Sequence, residues 1–170
     1  MPLVTAEPRA GPKPLDTPPY VYRIVAQMLE YFRYASHLLA PLAANCKDFR
    51  EHWTRTLDAE PGSMAGRWEG EWISTPTGHH GPLRCLVDVA SEDSWHVRFR
   101  AGYAKIFRAC YATDFHVARL APDRWTFSGR SDLGPLAGGA YEYSGEGTLD
   151  AMSCRYTSVH DHGEFRLRRP

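Results

Sequence analysis

Five residues in two short stretches hold most of the side chains that could do chemistry in this chain. "STPTGHHGPLRC" (74–85) sets His79 and His80 between two glycines, and "SVHDHGE" (158–164) carries His160, Asp161 and His162. His160 and His162 stand two apart, so in extended backbone both rings project to the same side. Zinc accepts three nitrogens with an open fourth position, or a carboxylate as the fourth ligand. The expected metal set is therefore His160, His162 and one of His79 or His80, because neighbouring residues in extended backbone point oppositely. Asp161 or Asp132 would serve as a ligand or as a hydrogen-bond partner to one. The competing reading is plain loop chemistry: "HDHG" makes a good hairpin turn with Gly163 in the left-handed position, and "GHHG" serves equally well as a loop. A hydrolytic set of Asp161, a histidine and Ser158 or Ser131 lacks any nucleophile elbow, and no P-loop or dinucleotide-binding fingerprint occurs.

These two stretches meet only if the elements between them bring them together. From Gly66 onward the apolar period is two. "GRWEGEWIST" alternates Trp68, Gly70 and Trp72 with Arg67, Glu69 and Glu71, and "PLRCLVDV" sets Leu83, Cys85, Val87 and Val89 against Arg84 and Asp88. "WHVRFRA" sets Trp95, Val97, Phe99 and Ala101 against His96, Arg98 and Arg100. "RWTFSGR" offers Trp125 and Phe127, "AYEYSGEG" offers Tyr141 and Tyr143, "MSCRY" ends on Tyr156, and "EFRLRR" offers Phe165 and Leu167. Short turn-rich intervals join most of these runs, which predicts antiparallel hairpins. A sheet with one apolar face must stack or close, and even spacing favours an eight-stranded antiparallel up-and-down β-barrel. Residues 104–120 count as one strand, with a bulge expected near Thr113 and Asp114, because no turn residue divides them. In such a barrel the first, third, fifth and seventh loops share one end, and closure sets strand one beside strand eight. The histidine loops then become neighbours, with "SDLGPLAGG" (131–139) over the same end.

The inward face is aromatic. Trp68, Trp72, Trp95, Phe99, Trp125, Phe127, Tyr141, Tyr143 and Tyr156 would either fill a small barrel or line a ligand cavity within it. Buried tyrosine hydroxyls need partners, so several on one wall would supply polar groups to a ligand or to water.

Acidic and basic residues number 20 each, which argues against a global field for nucleic acid, membrane or an acidic partner. Cysteines at 46, 85, 110 and 154 show no CxxC or finger spacing and read as free thiols in a reducing, cytoplasmic setting; their even count leaves disulfides open, with nothing in the spacing to argue for them. Residues 1–17 are proline-rich without an apolar h-region and read as a disordered tail. Residues 18–58 read as an amphipathic helical arm kinked at Pro41, its second stripe being Leu42, Cys46, Phe49, Trp53 and Leu57. Its expected role is packing on its own domain, with self-association into a homo-oligomer as the alternative. Charges within it exclude a spanning helix, and mixed signs on its polar face speak against membrane contact.

"GRWEG", the eight-strand meander and the arginine-rich final strand together resemble the calycin group: lipocalins, fatty-acid-binding proteins and nitrobindin-like haem barrels. The resemblance spans residues 66–169 and matches Gly66 and Trp68 to a G-x-W whose tryptophan packs on an arginine from the far end of the chain. Arg166, Arg168 or Arg169 would supply that arginine. The longer glycine run and Tyr-Pro-Thr of the nitrobindin-like barrels are absent. The resemblance implies noncatalytic binding of a small, largely apolar molecule in the barrel, entered at the histidine-bearing rim. A metal-dependent enzyme or zinc protein at that rim is the alternative. Haem held by a rim or interior histidine is a narrower variant, and a helix-assembled module around a filled barrel is the third reading.

Overall fold

The computed structural model describes residues 40–56, 62–103, 107–134 and 138–170, with the side chains of 40–45 and of Phe107 left aside. The chain divides into two units, 1–39 and Ala40–Pro170, and the second is the one described below. The tail and the first half of the expected helical arm lie outside the described residues.

A helix, α1 (Ala40–Arg55), precedes eight strands. The first four are β1 (Gly66–Ser74), β2 (His80–Ser91), β3 (Ser94–Tyr103) and β4 (Phe107–Ala121). The last four are β5 (Arg124–Asp132), β6 (Ala140–Thr148), β7 (Ala151–Thr157) and β8 (His162–Arg168). Every strand pairs antiparallel with the next, and β1 pairs with β8, so the sheet closes into a barrel. Period-two patterning dictates this outcome, since closure alone both buries the apolar face and leaves no edge. The architecture is consistent with a calycin-like fold.

Residues 107–121 form one strand, as the missing turn signal requires. The bulge lies elsewhere than expected: pairing with β3 runs regularly through Thr113 and Asp114, and the register shifts between Arg119 and Ala121 instead. A second shift falls between Val89 and Ser91, and Val89, which still pairs with the inward Trp95, is 45% exposed at the strand's end. Both shifts sit beside hairpin turns, where added twist costs the fewest paired bonds.

The barrel interior is stacked in three tiers. At the lower end, where β1 begins, Trp68, Trp95, Trp125, Met64, Met152 and Leu167 are buried. Above them lies a phenyl tier in which Phe99 meets Phe165 at 5.5 Å between ring centroids and Phe115 meets Phe127 at 4.9 Å. Gly145 makes that tier possible, because a Cβ there would come 2.6 Å from the Phe127 ring. Tyrosines form the upper tier: Tyr141 packs on both Tyr143 and Tyr156, and Tyr111 stacks on Phe99 at 5.2 Å. Rings at these separations fill the lower and middle barrel.

Outside the barrel, α1 lies on the sheet. Phe49 (2% exposed), Leu86 and Cys110 form a second apolar cluster with Cys46 and Trp53 at its edge. Leu86 and Cys110 break the alternation of their strands by being apolar on the outward side, and the helix covers both. Burying Phe49 contributes about 2 kcal/mol. A disulfide joins Cys46 of α1 to Cys110 of β4. This corrects the reading of all four cysteines as free thiols: Cys85 and Cys154 are free and buried, whereas Cys46 and Cys110 meet because the helix packs on β4. Among the described residues, no helix is long and apolar enough to cross a membrane.

Candidate functional site

The two barrel ends are built differently. The lower end is sealed. Trp68 donates its indole N–H to the Met64 carbonyl at 3.0 Å, and the Arg169 guanidinium carbon lies 4.0 Å from the Trp68 ring centroid. Arg169 also donates to the carbonyls of Ala65 at 2.8 Å, Leu149 at 3.2 Å, and Ser63. One guanidinium thus ties the chain end, the β6–β7 turn and the entry to β1 around one indole. Arg169, rather than Arg166 or Arg168, supplies the partner that the G-x-W resemblance implied.

At the upper end the turns on either side of the β1–β8 seam meet, as the strand count required. Thr75 N–H donates to the His162 carbonyl at 2.9 Å. The Ser74 hydroxyl donates to Asp161 Oδ1 at 2.7 Å, and Tyr156 OH donates to Asp161 Oδ2 at 3.1 Å. The histidines, however, do not converge. His79, His80, His160 and His162 are all exposed, and His79 Nδ1 lies 3.2 Å from Tyr103 OH. Among the described residues, no group of three or more His, Cys, Asp or Glu is arranged to hold a metal ion. The reason is the pleat: His80 and His162 stand opposite Ile73 and Thr157 on the outer side, while the Asp161 carboxylate turns inward to two hydroxyls. Asp132 is also committed locally, accepting from the Gly134 N–H at 2.8 Å. The residues therefore do not fit the zinc set. Among the described residues no histidine is buried, so the barrel interior offers no axial ligand for haem, and only the exposed rim histidines remain for that variant. The hydrolytic set also dissolves: Ser158 Oγ donates to the Asp161 carbonyl, and Ser131 Oγ lies 3.1 Å from Tyr143 OH.

Gly163 is needed for a different reason from the one its turn suggests. Its φ is not positive; a Cβ there would lie 1.9 Å from the Ile73 carbonyl oxygen and 2.8 Å from Tyr156 OH. Bulk at this position would part β1 from β8.

All nine aromatics expected to face inward do so. Trp68, Trp72, Trp95, Phe99, Trp125, Phe127, Tyr143 and Tyr156 are core residues, and Tyr141 packs against that core while keeping some exposed surface. Sequence alternation found each of them but missed Tyr111, which lies inside the long β4 run where no single phase stands out. Trp72 spans the upper rim, donating its N–H to the Gly102 carbonyl at 2.9 Å and stacking on the exposed Tyr103. Burial raises the pKa of Tyr111, Tyr143 and Tyr156 above the usual tyrosine range, and the Asp161 carboxylate adds to the rise at Tyr156. These hydroxyls stay protonated and can donate hydrogen bonds.

The upper end thus combines an apolar phenyl floor with neutral hydroxyl donors. A separate groove of about 970 Å³ lies outside the barrel around β1 and β6–β8, where Glu71 and Glu146 alternate with Arg124, Arg166 and Arg168. Comparison of the chain with family models, curated proteins and solved structures finds no match.

Proposed function

We propose that the protein binds, without catalysis, a small and largely apolar molecule at the tyrosine-lined upper end of its barrel. The observation that supports this reading is the unequal pair of ends. The lower one is plugged by Trp68 and Arg169, while inward-facing Tyr141 at the upper one keeps some exposed surface beside Tyr143 and Tyr156. A ligand seated there would rest its apolar part on the phenyl tier and direct a hydrogen-bond acceptor to the Tyr141 hydroxyl, since Tyr156 already donates to Asp161 and Tyr143 is engaged with Ser131. Because the middle and lower tiers are filled by rings, the molecule expected there is short rather than a long acyl chain.

The alternative of assembly around a filled barrel through the helix draws less support. In the described part of the arm, Phe49 and Trp53 are already engaged on the barrel exterior.

The test uses Nile red, a neutral apolar probe, with the Tyr141→Trp variant, which enlarges the side chain at the mouth and leaves the phenyl floor untouched. Affinity is expected to fall at least about tenfold, the scale of a steric misfit in an apolar pocket. Equal affinity for the two proteins, or no binding by the native one, removes the reading. Native mass spectrometry of protein purified from its own host would then give the mass of a retained ligand.

A further inference from the structure

The chain carries equal numbers of acidic and basic residues, and over most of the barrel exterior they alternate across strands: Glu69 with Arg84 and Arg168, Glu71 with Arg166, Arg155 with Glu164, Arg130 with Glu142. One region departs from this pattern. On β2 and β3, Arg84 and Arg100 are direct cross-strand partners, both outward. On β4, Arg108 stands opposite Gly102, which makes it the diagonal neighbour of Arg100 on the same face. From α1, Arg50 joins them, one helical turn beyond Cys46, whose disulfide to Cys110 holds the helix against β4 directly across from Arg100.

Four guanidinium groups from three adjacent strands and a helix thus share one face. Arg84 alone of the four has a carboxylate partner among the described residues, Glu69 at 2.9 Å. Among the described residues, Arg50, Arg100 and Arg108 make no ion pair and no side-chain hydrogen bond, whereas Arg98, their neighbour on β3, is paired with both Asp48 and Asp88. Arg100 is only partly exposed, and partial burial with the like charges of Arg108, Arg84 and Arg50 holds it below the usual arginine range. Trp53 lies at the border of the patch, with the guanidinium carbons of Arg84 and Arg67 at 4.9 and 5.3 Å from its ring. Stacking there holds Arg84 in place without neutralising it.

Like charges gathered by a disulfide-anchored helix, three of the four without a counter-charge among the described residues, raise the energy of the free protein. A multiply charged oxyanion removes that cost on binding, and guanidinium forks match phosphate oxygens in pairs. From this arrangement we infer that Arg50, Arg84, Arg100 and Arg108 form a binding site for a phosphate-bearing anion on the outer face of β2–β4, beside α1. The site is separate from the barrel mouth and does not depend on the function proposed for it.

Two sources could present the same phosphate chemistry: a free phosphorylated small molecule and a phosphorylated lipid headgroup. Calorimetric titration with inorganic pyrophosphate at low ionic strength probes the first. Co-sedimentation with phosphatidylcholine vesicles, with and without a phosphoinositide, probes the second. Each is run on the native chain, on Arg100→Gln/Arg108→Gln, and on Arg124→Gln/Arg155→Gln, which removes the same charge from the far side. Binding in either arm that weakens at least about tenfold in the first variant and persists in the second is the expected result, and the positive arm identifies the source. Binding in neither arm, or equal weakening in the two variants, overturns the site. In the absence of any anion, Arg100→Gln/Arg108→Gln is expected to melt above the native chain, since it relieves like-charge repulsion. A melting temperature below the native one would show that these arginines have stabilising partners, and would also count against the site.

Discussion

The Arg169 guanidinium carbon lies 4.0 Å from the centre of the Trp68 indole, and its N–H groups reach the carbonyls of Ala65, Leu149 and Ser63. This contact joins residues 101 positions apart in sequence and closes one end of the barrel. Replacing Arg169 with Met keeps the stem but leaves three carbonyls without their donor. The expected loss is about 2 kcal/mol, the sum of a partly exposed cation–π contact and hydrogen bonds to a charged donor. Arg169→Lys keeps the charge over the ring but not the fork, and is expected to recover less than half of that loss. Urea unfolding followed by tryptophan fluorescence measures both, and a midpoint unchanged in Arg169→Met would show the contact to be incidental.

The Cys46–Cys110 disulfide ties α1 to the first part of β4 across a separation of 64 residues. Denatured but unreduced protein should therefore titrate two thiols per chain, Cys85 and Cys154, and reduction should raise the number to four. Closing a loop of this length restricts the unfolded chain by up to about 4 kcal/mol in the chain-entropy account. Cys46→Ala/Cys110→Ala is expected to lose much of this and to shift Trp53 emission to the red as α1 loosens from Leu86. Four reactive thiols before reduction would contradict the bridge.

Alkali should unfold the protein earlier than its surface charge alone would. Burial raises the thiol of Cys154 to about 12 from an ordinary 9.0 and pushes Cys85 up as well. It also lifts Tyr111, Tyr143 and Tyr156 above an ordinary 10.0. Each of these groups is neutral when folded and ionises more readily when unfolded, so its contribution to stability is whole below the ordinary value. That contribution is lost as the pH climbs toward the raised one. Stability is expected to be level near neutrality from these groups, to begin falling above pH 9, and to fall more steeply above pH 10. Spectrophotometric titration should show part of the tyrosine absorbance change arriving only with the loss of near-ultraviolet circular dichroism. A single smooth transition near the ordinary value, with the fold intact, would rule this out.

The fold was legible because the information it needs is local. Trp95, Val97 and Phe99 against His96, Arg98 and Arg100 specify which side of β3 is buried, and six further runs do the same. Turn residues between them specify hairpins, and the run at 104–120, which no turn residue divides, specifies the count of eight. Once the count is even, the β1–β2 and β7–β8 turns must become neighbours, and Ser74 and Asp161 do meet. Which atoms meet was not legible. His79 and His160 are as suited to metal by type as any ligands, but the pleat turns His80 and His162 outward and delivers the Asp161 carboxylate to Ser74 and Tyr156 instead.

Sequence by itself determined the strands, the inward aromatics and the closed barrel, because side-chain alternation and turn chemistry act over two to ten residues. Tertiary structure decided the rest. It set Arg169 over Trp68, bonded Cys46 to Cys110, and gathered Arg50, Arg84, Arg100 and Arg108 on one face of a chain with no net charge. Each of these depends on strand register and on where a helix comes to rest. Those are set by the balance of many contacts between residues far apart in sequence, and no short stretch of the chain records them.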